Sequence, residues 1–63
     1  MAAEFYRKQY GETDAGYVVV IGKRNADNDA TYEVRRGAHT ISTFGTEAEA
    51  DALALALVPA SVA

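Results

Sequence analysis

Two segments of the chain are apolar on every side. Tyr17-Val18-Val19-Val20-Ile21 is an unbroken strand-forming run, and Ala52-Leu53-Ala54-Leu55-Ala56-Leu57-Val58 an unbroken helix-forming one. An element buried on one face should carry polar residues on the other. With 63 residues in all, the chain has too little material to cover both sides of either segment. A unit of this size buries only about 60% of the surface its unfolded chain exposes, and small domains usually rely on a disulfide, a metal or a partner. There is no cysteine, which removes disulfides, thiolate metal sites and thiol catalysis. The expectation is a single small domain, 1–63, covered by a second copy of itself.

The N-terminal Met1-Ala2-Ala3-Glu4 lacks the charged and apolar regions of a signal peptide. The longest apolar run, 52–58, is far below the roughly 20 residues that span a bilayer. The expected setting is cytoplasmic, with no membrane partner.

Alternation and turn residues divide the chain into strands at about 5–10, 17–22, 31–36 and 39–44. Gly11 to Gly16 reads as a turn and Gly22 to Ala30 as a polar loop. Thr46-Glu47-Ala48-Glu49 is a capping box: the Thr46 hydroxyl should accept from the Glu49 amide while the Glu49 carboxylate reaches back to the Thr46 amide. The helix is predicted over about 47–57, stopping before Pro59, with a loose tail at 59–63. The fold class is α+β: an antiparallel meander of three or four strands with one C-terminal helix on one face.

Within the second strand, Tyr17, Val19 and Ile21 point one way, Val18 and Val20 the other, and one set packs on the helix. On the helix, Ala50, Leu53 and Leu57 share a face while Leu55 lies nearly opposite, with Val58 beside it. The expected dimer interface is therefore Leu55, Val58 and whichever of Val18 and Val20 faces away from the core.

No constellation of residues spells out a reaction. His39 is the one histidine, with no nucleophile or orienting carboxylate identifiable beside it. Asn25, Asp27 and Asp29 are spaced as in calcium loops, but Ala30 and Arg36 stand where the sharp-turn glycine and the bidentate glutamate belong. The glycines form no phosphate-binding fingerprint. The reading is a non-enzyme with no cofactor and no metal site.

Net charge is −3, yet all six cations lie within residues 1–36 as Arg7-Lys8, Lys23-Arg24 and Arg35-Arg36. Tyr6, Lys8 and Tyr10 alternate on one face of the first strand, and tyrosine suits interfaces. A mixed aromatic and basic face of Tyr6, Lys8, Tyr10, Val18, Val20 and Arg35 is one possible assembly. Arg7, Arg35 and Arg36 complete the set of candidate contacts for a protein partner or nucleic acid. The absence of a basic excess disfavours nucleic acid.

The run from Tyr32-Glu33-Val34 to Phe44-Gly45-Thr46-Glu47-Ala48-Glu49-Ala50 resembles two families. One is the arm-type DNA-binding domain at the N-terminus of phage and mobile-element integrases, whose sheet reads DNA with a helix behind it. The other comprises small bacterial and phage proteins with the same strand-strand-helix core. The resemblance covers residues 31–57. It implies a three-stranded sheet backed by a helix, and a sheet-face DNA-binding module as the alternative function. The leading expectation is a homodimeric, non-catalytic interaction module, of the kind a phage or mobile element uses as an accessory or inhibitor protein.

Overall fold

In the computed structural model, which describes residues 3–58, the two apolar runs pack against each other. Four strands come first: β1 (Ala3–Thr13), β2 (Gly16–Arg24), β3 (Ala30–Arg36) and β4 (His39–Phe44). They form one antiparallel open sheet in the order β1-β2-β3-β4. Helix α1 (Glu47–Leu57) then folds back across β2, β3 and β4. The architecture is α+β, with four strands rather than three. The tail expected at 59–63 lies outside the described residues.

β1 and β2 run longer than the sequence suggests. Gly11 and Glu12 belong to β1, so the turn shrinks to Asp14 and Ala15. Thr13 closes it: its hydroxyl donates to the Gly16 carbonyl at 2.8 Å and accepts from the Ala15 amide at 3.2 Å. Gly11 is needed for packing rather than turning. A Cβ there would lie 2.9 Å from Cγ1 of Val58, so the helix end seats on bare backbone. At the far end, β2 continues through Gly22 to Arg24. Gly22 is buried where the rings of Phe5, Tyr6 and Tyr32 converge, with Tyr32 edge-on to both others.

The register fixes which face is covered. Val20 lies opposite Val34, Gly22 opposite Tyr32, and Tyr32 opposite Phe44. Val18, Val20 and Val34 are fully buried, together with Ala50 and Ala54 of the helix. The small alanines bring the helix close to the sheet. Leu53 and Leu57, expected to share the buried face with Ala50, do so and flank that contact half-buried. Burying each valine contributes about 1.5–3 kcal/mol relative to leaving it in water.

Three irregularities adjust the outer strands. Phe5 and Tyr10 sit at register shifts in β1, where two successive residues stand against one on β2. Phe5 and Tyr6 thereby both reach Tyr32. In β4 the shift falls at Ile41, between Thr40 opposite Arg35 and Ser42 opposite Val34. Phe44 reaches the core while Ile41 remains exposed.

At the helix start, the Thr46 hydroxyl accepts from the Glu49 amide at 3.3 Å, as the capping box requires. The reciprocal contact differs from expectation. The Glu49 carboxylate accepts from the Thr46 hydroxyl itself, at 2.8 Å, rather than from the Thr46 amide.

Candidate functional site

Among the described residues, the helix covers one face of the sheet and no element packs on the other. Because Val18 and Val20 point at the helix, Tyr17, Val19, Ile21 and Lys23 stand on the open face. From β1, the register sets Glu12 beside Tyr17, Gln9 beside Val19, Arg7 beside Ile21 and Glu4 beside Lys23. On the β3 side, Arg35 stands beside Val19, Glu33 beside Ile21 and Thr31 beside Lys23. Thr40 and Thr43 continue the rows onto β4. An apolar stripe along β2 is thus framed by alternating charges.

Most of those charges satisfy one another. Glu33 accepts from Lys23 Nζ at 3.1 Å and from Arg35 Nε at 3.0 Å. Burial alone would push the Glu33 carboxyl up, but the two cationic donors outweigh it and hold it below the ordinary carboxylate range. Glu4 accepts a two-pronged contact from Arg7, at 3.0 Å from Nε and 2.9 Å from the second nitrogen. That hydrogen bond lowers the Glu4 carboxyl and raises the Arg7 guanidinium. Ile21 is only 2% exposed although no described element covers its face. Its register neighbours Arg7 and Glu33, and the long Lys23 and Arg35 beside them, supply the aliphatic stems that shield it. Tyr17, in the same row, is 46% exposed.

The proposed aromatic and basic face does not assemble. Tyr6, Lys8, Tyr10, Val18 and Val20 do share a side, but it is the side under the helix, and Arg35 is on the other. Tyr10 donates its hydroxyl to Asp51 of the helix, and Lys8 Nζ lies 4.9 Å from the centre of the Tyr10 ring. Burial raises the Tyr10 hydroxyl well above its usual range, and the bond to Asp51 adds to the shift. This pair fastens the helix to β1. The four cations considered for DNA divide between the faces, Arg7 and Arg35 on the open side, Lys8 and Arg36 on the other.

The expected interface set changes too. Val18 and Val20 point the same way and are both core, so neither can meet a partner. Val58 is half-buried, its side chain over Gly11. Leu55 alone of that set is open, at 64% exposure. Val19, Ile21, Lys23 and Glu33 were not singled out as contact residues, yet β3 carried the signal. Thr31, Glu33 and Arg35 alternate with Tyr32 and Val34, so one parity of that strand is polar, and pairing carries it onto Val19, Ile21 and Lys23 of β2.

The remaining polar clusters have local explanations. The Asn25 side-chain oxygen accepts from the amides of Asp27 and Asp29, at 2.9 and 3.0 Å, which closes the β2–β3 loop on itself. His39 is exposed at the first position of β4. Among the described residues, no three His, Cys, Asp or Glu side chains cluster as a metal site would need. A shallow cleft beside the β1–β2 turn is lined by Glu12, Thr13, Asp14, Ala15 and Arg36. No described helix is long and apolar enough to cross a membrane.

No family model, curated protein or solved structure matches the chain.

Proposed function

We propose that the protein is a non-catalytic interaction module that acts by protein–protein contact and associates with itself. The observation that carries this reading is β2, whose two sides are both apolar while a helix covers only one. Exposed Tyr17 and half-buried Val19, set among paired charges, suit a protein surface: apolar at the centre, polar at the rim. The size of the chain, and the resemblance of residues 31–57 to integrase arm-type domains and small phage proteins, support a role as an accessory or inhibitor protein of a phage or mobile element. Sedimentation velocity from low to high micromolar protein tests the self-association. The expected result is a species near twice 6.7 kDa. A single species of 6.7 kDa at every concentration would refute it.

The second reading is a sheet-face DNA-binding module. Arg7, Lys23 and Arg35 on one open face favour it. The carboxylates that already occupy all three cations weigh against it, because a phosphate would have to displace them. Phosphate contacts would make binding fall steeply with salt. Fluorescence anisotropy of labelled duplex DNA at 50 mM and 200 mM salt should show no binding. A salt-sensitive rise abolished by Arg35→Glu would establish this second reading instead.

A further inference from the structure

We infer that the open face of the sheet is the surface that receives a second copy of this chain, the two sheets stacking face to face with the helices outside. The inference rests on the self-association proposed above and assigns its surface and occupant.

Charge decides the occupant. The open face carries Glu4, Glu12 and Glu33 against Arg7, Lys23 and Arg35, so it is neutral. The whole net charge of −3 therefore lies elsewhere, in the loops, the helix and the covered side. A polyanion finds no excess of positive charge here, and a strongly basic partner no excess of negative. A second copy brings an equally neutral face, so no net charge opposes pairing across a two-fold axis. Two copies meeting this way also put their acidic helices on opposite outer sides.

The other surfaces suit a second copy less well. The helix carries Glu47, Glu49 and Asp51 and no basic residue, so helix-to-helix pairing brings like charges together. Its exposed side offers Leu55 as the one large apolar group, among Ala48, Ala52 and Ala56. By contrast, the open face offers Tyr17 and Val19 in line on a rigid central strand, with Ile21 filling the floor beside them.

Geometry sets the strength. Stacked sheets pack about 10 Å apart, the right spacing for two layers of interdigitating side chains. Four strands about 4.8 Å apart, read over about seven residues, give a face of roughly 400 Å² in projection. A standard interface takes about 800 Å² of accessible surface from each partner. At about half that area per partner the pair falls below the stable class, among weak and transient contacts, and dilution should dissociate it.

The experiment measures the dimer dissociation constant of the wild type and three variants by light scattering on a sizing column, with circular dichroism to verify folding. Val19→Glu and Tyr17→Ser should each raise the constant at least tenfold, while Leu55→Glu leaves it unchanged. The reverse pattern, Leu55→Glu giving monomer and Val19→Glu remaining dimeric, would overturn the open-face assignment and leave self-association standing. A wild type that is monomeric throughout would remove both. If either face variant fails to fold, methyl spectra of the wild type on dilution decide the matter. Val19 signals should move and Leu55 and Ile41 signals should not; movement confined to Leu55 or Ile41 would overturn the assignment.

Discussion

Gly37 shows how much one residue can hold. Its φ is +62°, in the left-handed region, and an added Cβ would meet the carbonyl oxygen of Ala15. Beside it Gly16 has φ +120°, and a Cβ there would lie 2.6 Å from the Gly37 Cα. The β1–β2 and β3–β4 turns touch through these two glycines, and the Gly37 amide donates to the Tyr17 carbonyl at 3.0 Å. Gly37→Ala is expected to cost about 1–3 kcal/mol, read by urea unfolding. A change below about 0.5 kcal/mol would mean that the turns do not meet this way. Val34→Ala, at a fully buried site, should cost about 2 kcal/mol by the same measurement. The presence of turns at Gly16 and Gly37 was legible in the sequence. That Gly11 serves the helix, and Gly22 three aromatic rings, was not, because both depend on residues distant in the chain.

At the scale of elements, helix α1 was the most legible part. Thr46 and Glu49 marked its start, and the observed span, Glu47–Leu57, agrees with the one predicted. Removing the cap with Thr46→Ala should lower stability by about 1 kcal/mol in thermal or urea unfolding. Its buried side was less legible: an all-apolar helix gives no polar stripe to orient it, and the close contact of Ala50 and Ala54 with the sheet outweighed the larger leucines. The strands were located within a few residues, but bulges at Phe5, Tyr10 and Ile41 depend on pairing that a single strand does not reveal. Ties between elements should show in the pH profile. Glu33 joins β3 to β2 through Lys23, and its folded-state pKa is depressed. Its contribution is therefore present above the unfolded carboxylate value and lost as pH falls through the folded one. Glu33→Gln should flatten the acid limb of stability against pH. Tyr10 ties β1 to the helix through Asp51, and its folded-state pKa is raised. Its contribution is complete below the unfolded tyrosine value and fades as pH rises beyond about 10. Tyr10→Phe should cost about 1 kcal/mol at neutral pH and flatten the alkaline limb. Wild-type slopes in either variant would show that these groups do not link the elements.

For the whole molecule, one strand sets the terms. β2 has apolar residues on both sides, and its even positions take the helix while its odd positions remain on a neutral, charge-framed face. That two surfaces needed covering was visible in the sequence. Which residues lay on the second surface was not read from β2 alone, because its parity follows only from the helix over Val18 and Val20 or from pairing with the polar row of β3. The most direct test mixes isotope-labelled with unlabelled protein at high concentration and records NOEs that cross between copies. Intermolecular NOEs from the Val19 methyls to the Tyr17 ring are the predicted result. Intermolecular NOEs confined to Leu55, or none at all, would contradict the account.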